Sequence, residues 1–131
     1  HFKELKDAEI VLVGVSRTFK TPLSIYLAFR GWFVANVPII WNKKLPPTLL
    51  ELPPSRVFGL SINPMRLAEL RQTRQERWGQ ALGEYADPGF VRRESVYAQQ
   101  IFHSHPGWRV VEVTDKPIEE IAAEIVALKE A

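Results

Sequence analysis

Lys20 and Thr21 close the segment Gly14-Val15-Ser16-Arg17-Thr18-Phe19-Lys20-Thr21, and this spacing is where the chain's chemistry is most legible. The apolar run Ile10-Val11-Leu12-Val13 precedes it and Pro22-Leu23-Ser24-Ile25-Tyr26-Leu27 follows, which reads as strand, tight loop and helix. A glycine at the strand end and a Lys-Thr pair at the helix start form a phosphate cradle. Loop amides point at the anion, and the helix start adds unpaired donors and partial positive charge. Lys20 supplies a full charge and the Thr21 hydroxyl a ligand for magnesium. One position departs from the pattern: Phe19 stands where such loops usually carry a second glycine. The competing reading is an ordinary strand-to-helix turn with a solvated Lys20. We expect a negative φ at Phe19, with the ring turned away and the cradle open. A positive φ would strain a Phe and would make Phe19→Gly tighten nucleotide binding.

Polar residues inside apolar stripes are the next candidates. Arg74 falls in a stripe with Leu67, Leu70 and Trp78 at helical spacing. It either snorkels or clamps a phosphate or carboxylate, while Arg66, Arg71 and Arg77 read as solvated. Glu94 shares a face with Phe90, Tyr97 and Ile101. A carboxylate there is costly unless paired, so the favoured reading joins Glu94 to Arg74, with a catalytic or metal role as the alternative. Asp115 follows the apolar run Val110–Val113. It reads as an ordinary neighbour of a helix N-cap, or as a second magnesium contact of the kind that nucleotide-binding loops use. His103-Ser104-His105 reads as a solvated helix end rather than a metal site.

The elements that must position these residues alternate. Strands are expected near Glu9–Val13, Trp32–Val37, Arg56–Ser61 and Arg109–Thr114. Helices are expected at Pro22–Arg30, at Pro64 to about Arg77, at Pro88 to about His103, and from Pro117 onward. Gly31 suits a helix C′ position, and Asn63-Pro64 and Asp87-Pro88 are helix-start signals. Residues 38–54, with Pro46-Pro47 and Pro53-Pro54, read as an irregular connector or a lid, and 78–86 as a loop. The pattern predicts an α/β fold, a P-loop kinase-like parallel sheet flanked by helices with right-handed crossovers, in a single domain over 1–131.

Composition narrows the function. The chain has 131 residues, 46% apolar, with formal net charge +2 and no cysteine. That suits one packed domain, excludes thiolate chemistry, and argues against a dedicated nucleic-acid binder. No run approaches the ~20 apolar residues of a membrane span, and no signal peptide is visible. A cytoplasmic location is expected. The first residue is His1 rather than Met, as in a piece of a longer protein.

The block Asp7–Thr18 with Lys20–Ala28, followed by Val34–Pro38, Val57–Leu60, Ile62-Asn63-Pro64, Arg66-Leu67, Arg71, Val113-Thr114 and Ile118–Glu120, resembles one family over nearly the whole chain. These are the regulatory proteins of pyruvate, phosphate dikinase and of phosphoenolpyruvate synthase. The resemblance implies a bifunctional serine/threonine kinase and phosphorylase. ADP would be the phosphoryl donor to a threonine of the target enzyme, and inorganic phosphate would remove that group as pyrophosphate. It implies that Gly14–Thr21 binds ADP; since phosphoryl transfer needs positioning and charge neutralisation, Lys20, Thr21-bound magnesium and Arg17 are the groups that could supply these. It also implies that this chain corresponds to the C-terminal half of the family's length, and that Phe19 replaces a small residue. The partner would be one of those two enzymes, with neither nucleic acid nor membrane; a homodimer is one assembly left open. A small-molecule P-loop kinase and a non-catalytic nucleotide-binding module are the alternatives.

Overall fold

The computed structural model describes residues 2–78 and 87–131, with side chains for 5–73 and 87–131. A short helix α1 (Phe2–Asp7) leads into β1 (Ile10–Gly14), α2 (Lys20–Phe29) and β2 (Val34–Pro38). Then come α3 (Pro47–Glu51), a 3-10 turn (Pro54–Arg56), β3 (Val57–Ser61), α4 (Pro64–Trp78), α5 (Pro88–Ser104), β4 (Arg109–Glu112) and α6 (Ile118–Glu130). The strands form one parallel sheet in the order β2-β1-β3-β4.

β1 is buried along its full length because it is central and covered on both faces, which is why its sequence is continuously apolar rather than alternating. β1 pairs with β2 from Ile10↔Val34 to Gly14↔Pro38, and with β3 from Val11↔Val57 to Val13↔Gly59. The core runs through Ile10, Leu12, Leu23, Leu27, Phe58, Leu67 and Ile121. The α2 C-terminus forms a Schellman motif: Gly31 at φ 95° donates to Ala28 O, and Trp32 donates to Leu27 O.

The strand order sets where a ligand can sit. From β1 the chain leaves toward β2, while from β3 it leaves the other way, toward β4. Right-handed crossovers therefore put their helices on opposite faces. Consistently, α2 packs against α6, and α4 against α5. The loops after β1 and β3 diverge, and the crevice at this switch point is the expected ligand position of an open parallel sheet.

The expected strands and helices recur with ends shifted by one or two residues. Two elements were not anticipated: α1, and α3 within the Pro-rich stretch. Leu49 of α3 is fully buried, so this stretch is a pinned connector rather than a lid. The expected loop over 78–86 lies outside the described residues apart from Trp78, which ends α4.

Candidate functional site

Gly14 ends β1 where the chain must bend tightly. A Cβ there would lie 2.8 Å from Thr18 Oγ1 and 3.3 Å from Leu60, so only glycine fits. Thr18 is fully buried, and its hydroxyl donates to Val15 O at 2.6 Å, closing the loop on itself. From the first position of α2, Lys20 reaches back under the loop. Its Nζ donates to Gly14 O at 2.9 Å and Val15 O at 2.8 Å, and lies 3.4 Å from Thr18 Oγ1. The ammonium is thus held at the loop by carbonyl dipoles. Burial pushes the Lys20 pKa down from 10.5 to about 8; the nearby Arg71 charge adds to this, Glu94 opposes it, and Arg17 lowers it a little further. A cation disfavoured in this way gains from an incoming anion.

Two loop residues are left-handed: Arg17 at φ 70° and Phe19 at φ 67°. The expectation of a negative φ at Phe19 is corrected. Phe19 is the N-cap of α2 and adopts the left-handed conformation, φ 67° and ψ 23°, without a side-chain cap hydrogen bond. Its half-buried ring packs against the core, which offsets part of the strain. Ser16 and Thr18 are not in the left-handed region, so the sign of φ alternates along 16–19. Such alternation curls successive amides into an anion-binding nest. Left-handed non-glycine residues cost roughly 1–2 kcal/mol each and cluster at functional sites.

A buried ion pair supports the loop from behind. Arg71 of α4, 1% exposed, donates from Nη2 to Glu94 Oε1 of α5 at 2.6 Å and to Ser16 O at 3.1 Å. It thereby bridges the elements after β3 to the loop after β1. Glu94 is paired with an arginine, as its place in an apolar stripe suggests, but the partner is Arg71. The reading of Arg71 as solvated is corrected: Leu67 is fully buried while Leu70 is only half-buried, so the inward stripe of α4 runs Leu67–Arg71. The side chains of Arg74 and Arg77 lie outside the described residues.

Ser16, Arg17, Phe19, Lys20, Thr21, Pro22 and Pro38 line an open cavity of about 490 Å³ at the C-terminal ends of β1 and β2. Among the described residues, the exposed Thr21 and Ser16 hydroxyls are the lining side chains suited to a hard cation. No cluster of three or more His, Cys, Asp or Glu suits a metal among the described residues. A single hydroxyl completed by phosphate oxygens and water is a normal magnesium environment, so the residues fit an ion that arrives with a phosphate ligand.

Asp115 stands apart from this cavity. It follows β4, which β3 separates from β1, and two strand spacings are roughly 10 Å. It is left-handed at φ 55° and pairs with Arg66 at 3.0 Å on the surface. The N-cap of α6 is Pro117, so Asp115 does not cap that helix. His103 is exposed at the end of α5, whereas His105 stacks on Trp108 with ring centroids 4.2 Å apart.

The profile of a family described as kinase/pyrophosphorylase matches residues 1–126. The pyruvate, phosphate dikinase regulatory protein, chloroplastic, of Zea mays is 51% identical over 123 residues, covering 92% of this chain and 29% of its own length. Regulatory protein 1 of Arabidopsis thaliana, under the same chloroplastic name, is 47% identical, covering 96% of this chain and 32% of its own. A Citrifermentans bemidjiense protein with a provisional form of that name is 47% identical over 95% of this chain and 47% of its own. The chain spans under half the length of these relatives. With a glycine-ended central strand, an inward-held lysine and a family match over nearly its whole length, the chain belongs to the kinase/pyrophosphorylase family.

Proposed function

We propose that this chain is the nucleotide-binding and phosphoryl-transfer part of a regulator of pyruvate, phosphate dikinase or phosphoenolpyruvate synthase. In the kinase direction a target threonine hydroxyl attacks the β-phosphorus of ADP. The bond from that phosphorus to the bridging oxygen breaks, AMP leaves, and the hydroxyl proton is released. In the phosphorylase direction an oxygen of inorganic phosphate attacks the phosphothreonine phosphorus, the threonine oxygen leaves and takes a proton, and pyrophosphate forms. The family description and the names of the relatives support this reading; ADP as donor comes from the resemblance.

The observation that carries it is Lys20 Nζ, held against Gly14 O and Val15 O beside a cavity whose lining, among the described residues, has no acidic side chain. Phosphoryl transfer needs positioning and charge neutralisation more than covalent help. Lys20 would meet the transferring phosphate, Arg17 the outer phosphate oxygens, and the Val15–Phe19 amides the remainder. Magnesium bound with the nucleotide at Thr21 Oγ1 would supply further neutralisation of phosphate charge. The compartment follows the target: the two plant relatives are named chloroplastic, and the cytoplasm is our reading for this chain.

One observation favours a second reading, a nucleotide-binding module without catalysis. Among the described residues no Asp, Glu or His lines the cavity, and Glu94, whose partner Arg71 reaches the loop, is committed to that arginine. A base would then come from the rest of the protein or from the target. The test is to mix the full-length protein with ADP labelled at the β-phosphate and each candidate target. Label on a target threonine supports the kinase. ADP binding without transfer supports the module, and transfer to small alcohols alone supports a small-molecule kinase.

A further inference from the structure

We propose that Arg71 is a positioning residue of the phosphate loop: by gripping the Ser16 carbonyl from inside, it turns the Arg17 amide outward toward a bound phosphate. The inference rests on the nucleotide-loop reading above and identifies what sets the loop's shape.

Arg71 donates to Ser16 O at 3.1 Å from a fully buried position on α4, so this carbonyl faces the interior. No peptide bond is cis among the described residues. In a trans, planar peptide the C=O and the following N–H point in opposite directions. The Arg17 N–H therefore faces away from Arg71. Arg17 is exposed and contributes to the cavity lining, so outward is the cavity side. The left-handed φ of 70° at Arg17 is the local backbone cost of that orientation. Lys20 treats the preceding carbonyl the same way, donating to Val15 O at 2.8 Å.

Glu94 makes the device specific. Its carboxylate, 2.6 Å from the same Nη2 that serves Ser16, fixes the guanidinium and offsets its charge, so the loop is shaped without a bare buried cation. Arg71 sits on the element after β3 and the loop follows β1, so it ties together both sides of the switch point. Lysine cannot replace it well, because it presents a point charge on a flexible four-carbon stem rather than a rigid planar fork.

The test uses the 131-residue chain labelled with ¹⁵N and titrated with ADP and magnesium, and separately with inorganic phosphate. The Arg17 amide resonance should move downfield with both. In Arg71→Lys, ADP affinity should fall about tenfold or more, and the Arg17 movement should vanish. Glu94→Gln, which keeps an acceptor for Arg71, should restore much of that movement relative to Arg71→Lys. A merely structural arginine would alter the melt without singling out Arg17. A folded Arg71→Lys chain that binds ADP like the parent overturns the proposal. So does a parent chain that binds ADP while the Arg17 amide stays still, a result that needs no variant to fold. Failure of the loop reading itself looks different: neither ADP nor phosphate moves any resonance from Gly14 to Thr21, and both ideas then fall.

Discussion

The starts of α2 and of α4 answer the same problem in opposite ways. Every helix begins with backbone N–H groups that lack an intrahelical partner. At α4 the Asn63 side chain accepts from Met65 N at 2.9 Å and Arg66 N at 3.1 Å, and at α5 Asp87 accepts from Phe90 N at 3.0 Å. Those ends are closed by their own sequence. At α2 the cap residue is Phe19, left-handed and without a side-chain hydrogen bond, and the first turn holds no acidic residue. In place of a cap it has Lys20, a cavity and an ion pair beneath the loop. The difference teaches that a strained, uncapped helix start is costly to stability and makes sense where a ligand completes it.

The largest expected effect tests the support of the α2 start. Arg71→Ala or Glu94→Ala each leaves a buried charge alone and should cost about 3–5 kcal/mol. The double variant should cost less than the sum, because the two share one interaction. Additive losses in denaturant unfolding would show that the pair does not act as a unit.

Next, Lys20→Ala should weaken ADP binding by about 1.5–3 kcal/mol while the chain still melts cooperatively. Unchanged affinity by calorimetry would remove the distinction between α2 and the capped helices.

Protonation sharpens the same point. With its pKa held at about 8, Lys20 is largely neutral at pH 9 in the free chain. A bound phosphate favours the charged form, so ADP binding at pH 9 should take up protons, and Lys20→Met should abolish the uptake. In the free chain the sign for stability follows. The unfolded state binds the extra proton between about 8 and 10.5, so the Lys20 contribution makes stability rise with pH across that window and is constant below it, where both states are protonated. Calorimetry in buffers of different ionisation enthalpy reads the uptake, and proton release would contradict the arrangement.

The capped ends supply the contrast. Asn63→Ala and Asp87→Ala should each cost about 1 kcal/mol of stability and leave ADP affinity unchanged. A loss of ADP binding in either would break the comparison.

The smallest effect concerns Phe19. Glycine adopts a positive φ without strain, so Phe19→Gly should hold more of the chains in the competent loop and tighten ADP binding by about fivefold, near 1 kcal/mol. Weaker binding would mean that the ring's packing matters more than the backbone strain.

Much of this was legible in the residues themselves. A continuous apolar run marks a doubly covered strand, Asn63-Pro64 and Asp87-Pro88 mark helix starts, and Gly14 with Lys20-Thr21 marks an anion loop, because each rests on interactions within a few residues. The short α1 and α3 were not legible, since helices of six and five residues are held by packing rather than by periodicity.

What only the tertiary structure decided was pairing at long range. Arg71 and Glu94 are 23 residues apart in sequence, and Arg71 and Ser16 are 55 apart. Neither contact leaves a local signature. Leu67, Leu70, Arg71 and Arg74 all fall within one broad arc of α4, and the choice of inward residue depends on how that helix is rotated against the sheet. The sign of φ at Phe19 belongs to the same class, because it follows the path of the chain from β1 into α2 and runs against the preference of the residue that occupies it. By itself the sequence determined the strand, the loop chemistry and the charge at its end. The strand order, and with it the arginine brought beneath the loop, came only from packing the whole chain.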